Sequence, residues 1–174
     1  MISIFNYRKN YFKKQFQKQL IEADEKRVVS DKEIKTVGIL TTELFFNTIE
    51  LKEEVERVLN LRNAKIYCYR PYKKSNTISY KHFSEKDFNW KGKVIQPNFN
   101  SFIEEPFDLL IGFFDKSNLF LESAVLQSKS TFKVGIATVN QMLYDIEIKS
   151  NPYKVEEFLT ELKKYLILIE KIKN

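Results

Sequence analysis

Short apolar runs separated by amphipathic or polar stretches recur along the chain, and their lengths predict buried strands. A strand that is covered on both faces is apolar along its whole length, whereas a half-exposed strand alternates. Three of the four glycines lie inside such runs, where a missing side chain lets a helix approach the sheet closely. The predicted buried strands are residues 36–41, 65–69, 107–114 and 132–138.

Two further short strands are predicted from less pronounced patterns. Ile146 and Ile148 alternate with charged residues, which is typical of an edge strand over residues 145–149. Residues 93–96 fit a further short strand. That stretch lies in an irregular excursion rich in aromatic residues, residues 71–105, in which proline and asparagine mark turns.

Apolar residues at intervals of three and four predict helices between these strands. The last helix is the clearest, because Asn151 fits its cap and Pro152 its first turn. Two earlier helices are predicted over residues 48–60 and 117–130. Their starts are predicted from a capping box of Asn47 with Glu50 and from Ser117 or Asn118 as a cap.

The order of elements predicts an α/β fold of three layers. A mostly parallel sheet of four to five strands carries helices on both faces, in a flavodoxin-like or Rossmann-like arrangement with strand order 2-1-3-4-5. A chain of 174 residues is long enough for one domain with its own core. We expect a single α/β domain over residues 28–174, preceded by a basic helix over residues 1–27.

That first helix carries the strongest functional signal. Residues 1–20 contain five basic residues and no acidic one, in a chain of formal net charge +6. Tyr7, Tyr11 and Phe12 are interleaved with the cations. Cations neutralise phosphates, and aromatic rings stack on bases or insert among lipid headgroups. The residues predicted to bind an anionic partner are Arg8, Lys9, Lys13, Lys14 and Lys18.

The same helix also has an apolar stripe, formed by Phe5, Phe12, Phe16 and Leu20, which Lys9 interrupts. Such a stripe is typical of a helix that docks on the body of its protein and leaves its lysines in solvent. The two interpretations, docking and partner binding, remain open from the sequence.

Aromatic residues in the 71–105 excursion allow two interpretations as well. Phe88 and Trp90, with Phe83 and Phe99 nearby, form a protein-binding patch if they are exposed. If they are buried, they form a minor core under a long loop.

Ligands of doubly wound sheets bind at the carboxyl ends of the strands. A small anion could bind the backbone amides of residues 117–118 with Arg70 opposite. The alternative is that these residues serve as helix caps and solvated loops. The residues predicted to line this crevice are Thr41, Thr42, Arg70, Asp115, Ser117 and Asn118.

Conventional catalytic and cofactor motifs are absent from the sequence. No glycine-rich phosphate loop is present, and the single cysteine and single histidine offer only a Cys68–His82 pair for nucleophilic catalysis and too few ligands for a typical zinc site. We therefore expect no catalytic residues, no metal and no cofactor.

One cysteine excludes an internal disulfide and suits a reducing compartment. Without an apolar run of membrane-spanning length or a secretory signal, the expected location is the cytoplasm.

Four segments together resemble a known group of sequences. They are Val37-Gly-Ile-Leu40, Lys-Asp-Phe-Asn-Trp-Lys-Gly at residues 86–92, Phe-Asp-Leu-Leu-Ile at 107–111 and Phe-Lys-Val-Gly-Ile at 132–136. With the basic N-terminal helix, they resemble a family of short α/β proteins from Bacteroidetes-type bacteria, described only as a domain of unknown function. The resemblance implies no activity and no functional residues.

The leading hypothesis is a non-enzymatic, cytoplasmic binding or adaptor module. Its partner would be anionic, either RNA in a ribonucleoprotein or another protein, and would bind the basic helix. A second hypothesis is a small-ligand binder or weak enzyme that uses the crevice at the strand ends. A third is peripheral attachment to the inner membrane surface through residues 1–20, without an integral membrane segment.

Overall fold

A parallel sheet forms the centre of the molecule. The computed structural model describes residues 4–28, 30–77 and 79–173. Within them, six strands pair in parallel in the order β3-β2-β1-β4-β5-β6. The strands are β1 (Val37–Thr42), β2 (Lys65–Tyr69), β3 (His82–Phe83), β4 (Leu109–Phe113), β5 (Lys133–Ile136) and β6 (Ile146–Ile148).

Helices cover both faces of this sheet. One face packs against α3 and α6 and the other against α1, α4 and α5, and each interface has its own cluster of buried apolar side chains. The fold is therefore the three-layer α/β architecture that the sequence predicts. The helices are α1 (Ile4–Glu25), α2 (Glu43–Thr48), α3 (Leu51–Leu59), α4 (Pro97–Glu104), α5 (Leu119–Gln127) and α6 (Val155–Leu168).

The five main predicted strands have the predicted order 2-1-3-4-5, and the predicted edge strand is β6, at one edge of the sheet. The central strand β4 shows why a buried strand could be predicted here. Leu109 and Ile111 pack into the α3/α6 layer, while Leu110 packs into the opposite layer. Because both faces are covered, the strand is apolar throughout. The sixth strand, β3, lies outside β2 and was not predicted.

Several predicted boundaries are wrong. The helix predicted over residues 48–60 is the shorter α3, and α2 lies almost entirely before the predicted range. Glu50 precedes α3 without a side-chain capping bond, so the predicted capping box is absent. Residues 93–96 form no strand; Val94 makes one isolated antiparallel bridge to Phe88. The last helix begins at Val155, and Asn151 instead accepts a hydrogen bond in the turn before it.

Helix α4 lies in the excursion that the sequence analysis treated as irregular. Its Pro97 occupies the first turn, and the side chain of Gln96 accepts a hydrogen bond from the Phe99 amide. Phe99, Phe102 and Ile103 are buried against the sheet. A proline in the first turn of a helix resembles a turn signal in sequence, which is why the helix was missed.

Aromatic rings, not helix backbones, lie on the strand glycines. Gly112 and Gly135 are neighbours on β4 and β5, and the Tyr144 ring packs on both. A Cβ at Gly135 would lie 2.2 Å from Tyr144 Cζ, and one at Gly112 would lie 2.4 Å from Tyr144 Oη. The Tyr144 hydroxyl is buried without a hydrogen-bond partner among the described residues, and this burial raises its pKa well above the usual value.

Asp108 connects the segment before β1 to β4. Its Oδ2 accepts hydrogen bonds from the amides of Lys35 and Thr36 and from the Thr36 hydroxyl, at 2.9–3.0 Å. Oδ1 lies 2.9 Å from Lys32 Nζ. Burial opposes ionisation of this carboxyl, but Lys32 and the hydrogen bonds outweigh burial and lower its pKa. The charged carboxylate therefore stabilises the start of the central strand pair.

Candidate functional site

Helix α1 docks on the body of the protein through its apolar stripe. Phe12, Phe16 and Leu20 are buried against the α4/α5 layer. Burial of one such side chain contributes about 1.5–3 kcal/mol, enough in combination to hold a helix. Residues 1–3 of the predicted helix and the side chain of Phe5 lie outside the described part of the chain. Phe12 is buried and is not available to stack on a partner, contrary to one expectation from the sequence.

A glycine turn receives the Phe12 ring. Asn89 begins this turn: its Oδ1 accepts from the amides of Lys91 and Lys93, and its carbonyl accepts from the Gly92 amide. Gly92 has φ +85°, and a Cβ there would lie 2.4 Å from the Phe12 ring. The distinctive segment at residues 86–92 therefore has a structural role, because it forms the seat on which α1 docks.

The exposed face of α1 is aromatic and basic. Tyr7, Tyr11, Lys14 and Lys18 recur at intervals of four, three and four, which places them on one side of a helix. Tyr11 contacts Trp90 of the glycine turn, with ring centroids 5.0 Å apart, and Lys91 Nζ lies 5.2 Å from the Trp90 ring centroid. We call this surface the basic aromatic face: Tyr7, Tyr11, Lys14, Lys18, Trp90 and Lys91.

The two predicted contact surfaces are therefore one. Trp90 is 48% exposed and belongs to this face, while Phe88, at 7% exposed, packs in the core with Phe83 and Phe99. The excursion thus combines parts of both interpretations: its tryptophan reaches the surface, while Phe83, Phe88, Phe99 and Phe102 are buried, in the main cluster between the sheet and α1, α4 and α5 and not in a separate minor core. Phe88 has too little exposed area for the surface contact that the sequence analysis assigned to it.

Few acidic groups neutralise the cations of α1. All five predicted cations are exposed. Among the described residues, the one ion pair that involves any of them joins Lys18 to Glu22, at 3.8 Å between two well-exposed side chains. Pairs of this kind contribute little and exchange readily for another anion. The positive charge of the helix is thus available to a partner.

Lys9 and Lys13 lie on a different flank of α1 from Lys14 and Lys18. They line a groove between α1 and the start of α5, together with Ser117 and Glu122. From the sequence, the basic helix and the strand-end crevice were predicted as two separate sites. The structure makes them neighbours at this groove.

The predicted crevice residues lie at the carboxyl ends of β2, β1 and β4, which are adjacent in the sheet. Their polar groups are largely engaged within the protein. The buried Thr41 hydroxyl donates to the Phe113 carbonyl at 2.8 Å, and Arg70 donates to the Thr77 carbonyl at 2.7 Å. The Asp115 carbonyl accepts from a threonine hydroxyl. Thr42 Oγ1 is buried without a hydrogen-bond partner among the described residues.

The first amides of α5 also have partners within the protein. Asn118 Oδ1 accepts from the amides of Phe120 and Leu121, both at 3.0 Å. Glu122 Oε1 accepts from the Asn118 amide at 2.9 Å and from the Ser117 hydroxyl at 2.5 Å. A bound anion would have to displace the Glu122 carboxylate, so this geometry favours the capping interpretation.

Cys68 and His82 are brought together but are poorly suited to catalysis. They are partners in the β2–β3 ladder. Burial, and then the charge of Glu43, raises the pKa of the Cys68 thiol to about 12, and burial lowers the pKa of His82. A nucleophilic cysteine needs the opposite shift. The His82 ring is instead held by a 2.6 Å hydrogen bond between its Nδ1 and the Ser79 hydroxyl.

The described residues contain neither a metal-binding cluster nor a helix that could cross a membrane. Across residues 4–28, 30–77 and 79–173, no group of three or more His, Cys, Asp or Glu side chains is placed to hold a metal ion. In the same part of the chain, no helix combines the length and apolarity needed to cross a membrane.

Sequence reasoning left three members of the basic aromatic face out of its predicted binding set. Tyr7 and Tyr11 could have been included, because their spacing to Lys14 and Lys18 places all four on one helical face. Lys91 had no such signal, because only the turn at Gly92 brings it beside α1.

Comparison with known sequences assigns the chain at the level of a family. The family described as "Family of unknown function (DUF6913)" matches residues 8–169. The chain belongs to this family. The DUF6913 match spans all five cations, the glycine turn and the sheet, and the family description states no activity. Neither the curated proteins nor the solved structures yielded a match.

Proposed function

We propose that this DUF6913 protein is a non-enzymatic binding module whose basic aromatic face contacts RNA, alone or in a ribonucleoprotein. The observation that carries the proposal is the Tyr11–Trp90 contact, which joins a cationic helix and an exposed tryptophan into one surface. Cations attract phosphates, and exposed rings stack on bases. The engaged polar groups of the strand-end crevice give less support to a small-ligand site.

The basic aromatic face is held in place by contacts within the protein, and this supports the proposed binding function. Phe12 and Gly92 hold α1 against the turn, and Gln127 donates a hydrogen bond to the Gly92 carbonyl at 2.8 Å. At the other end of the helix, Arg27 donates to the carbonyls of Met142 and Tyr144. A surface that is already ordered loses little entropy on binding.

Fluorescence anisotropy with a labelled oligouridine of about 20 nucleotides tests the proposal. The test variant is Lys14→Gln/Lys18→Gln/Lys91→Gln, which removes the three cations of the basic aromatic face. The slope of log K against log salt is about −0.7 for each phosphate contact with a single strand. The triple variant, which loses three such contacts, should therefore show a slope that is less steep by about 2.

The matched control removes the same charge from the opposite layer, with Lys154→Gln/Lys164→Gln/Lys173→Gln. It should bind like the parent protein. Equal weakening by both triple variants would mean that net charge alone drives binding, and no RNA binding by the parent would refute the proposal. Sedimentation with phosphatidylglycerol vesicles tests the membrane alternative. If vesicles and RNA bind the same face, an excess of RNA should prevent the protein from sedimenting with the vesicles.

A further inference from the structure

We propose that the basic aromatic face recognises unpaired nucleotides, whose bases stack on Tyr7, Tyr11 and Trp90. This inference rests on the function proposed above and narrows the partner to single-stranded RNA. With base stacking, the basic aromatic face would distinguish unpaired RNA from duplex RNA and from acidic protein surfaces. The positive charge of α1 alone would not make that distinction.

Exposure of the rings is the first argument. Tyr7 is 65% exposed and Trp90 48% exposed, in a protein that buries most of its phenylalanines. Trp90 is the single tryptophan of the chain. Flat aromatic faces in solvent next to cations are the usual stacking platform of single-strand binders, because every base offers a face to stack.

Spacing is the second argument. Tyr7 and Tyr11 are separated by four helical residues, or about 6 Å along the axis. That distance is close to twice the rise of about 3.4 Å per nucleotide in a stacked strand. Lys14 and Lys18 continue the same line beyond the tyrosines, so a strand that follows the helix axis would meet rings first and phosphate-neutralising cations next.

Support of the rings is the third argument. Tyr11 is held against Trp90, with the two rings tilted at 45°. Trp90 itself sits in a turn whose conformation is set by the Asn89 hydrogen bonds and by Gly92 under Phe12. Stacking on rings that are already fixed costs little side-chain entropy. In a duplex, the base faces are hidden in the stack, and only the phosphates remain for the lysines.

The single tryptophan provides a direct assay. Titration of the full chain with oligouridine should quench Trp90 fluorescence, whereas a duplex RNA of equal length should leave it almost unchanged. Trp90→Ala and Tyr7→Ala should each weaken single-strand binding by about 5- to 100-fold, as expected for the loss of one stacked base. Duplex binding should change by less than about 2-fold. Tyr165→Ala, which removes a similarly exposed tyrosine on α6, is the matched control.

The outcomes separate the two proposals. Equal affinity for single-stranded and duplex RNA, with no quenching and no effect of Trp90→Ala, would overturn base stacking while leaving phosphate binding intact. Polyglutamate that binds as tightly as oligouridine would overturn it in favour of an acidic protein partner. Absence of binding to either RNA would refute both proposals.

Discussion

Replacement of Gly92 by alanine probes the contact that holds α1 to the body of the protein. Gly92 has φ +85°, and an added Cβ would lie 2.4 and 2.5 Å from two atoms of the Phe12 ring. The methyl group therefore meets two obstacles, an unfavourable backbone conformation and an occupied space. Neither can relax without moving the turn or the helix.

The expected cost follows from these two effects. A left-handed conformation costs an L-residue about 1–2 kcal/mol. The Phe12 ring, only 6% exposed in the parent, would have to move out of its site and lose part of the roughly 1.5–3 kcal/mol that its burial contributes. We expect Gly92→Ala to lower the free energy of unfolding by about 2–4 kcal/mol, a large part of the stability of a domain of this size.

Urea unfolding gives the total cost, and amide hydrogen exchange shows where the cost falls. Exchange should accelerate in α1 more than in β1 or β4, because the helix loses its seat while the sheet keeps its pairing. Trp90 fluorescence provides a third observable, since its neighbour Tyr11 moves with the helix.

A double-mutant cycle with Phe12→Ala isolates the clash. Phe12→Ala removes the ring, so Gly92→Ala in that background should cost only the conformational penalty of about 1–2 kcal/mol. The two substitutions should therefore cost about 1–2 kcal/mol less together than the sum of the single variants. Strict additivity, or a cost below about 0.5 kcal/mol for Gly92→Ala in the parent protein, would refute the proposed seat.

Three further predictions concern the body of the fold. Tyr144→Phe should leave the free energy of unfolding unchanged or raise it by up to about 1 kcal/mol in urea titrations, because its buried hydroxyl lacks a partner among the described residues; a loss above about 1 kcal/mol would reveal an acceptor. Asp108→Asn should cost about 1–3 kcal/mol near pH 7, because it weakens the contacts of its carboxylate with Thr36 and Lys32. Since the pKa of Asp108 is lowered in the fold, its contribution is full above the unfolded pKa of about 4 and is lost as pH falls through the folded pKa. The stability difference between parent and variant should therefore shrink progressively as pH falls below about 4, and a difference independent of pH in that range would contradict the assignment. Cys68, buried and with its pKa raised to about 12, should resist alkylation by iodoacetamide until urea unfolds the chain, and rapid alkylation of the folded protein would contradict this.

Local patterns were enough to predict the layers and most of the sheet. The fully apolar run around Ile111 could only be a strand covered on both sides, and the alternation around Ile146 and Ile148 marked an edge. The strand order was predicted only by analogy with flavodoxin-like sheets, since the sequence by itself does not fix which strands are neighbours. Two-residue β3 left no periodicity to detect, and α4 was hidden because Pro97 has the same sequence signature in a turn as in the first turn of a helix.

The candidate surface shows a sharper division. The sequence by itself determined that the start of the chain is cationic, that it has an apolar stripe, and that tyrosines accompany the cations, because helical spacing is a local property. Only the tertiary structure decided that Phe12 packs on Gly92 and that Trp90 lies against Tyr11. Those contacts join positions about eighty residues apart in the chain, and no local period encodes a distance of that kind.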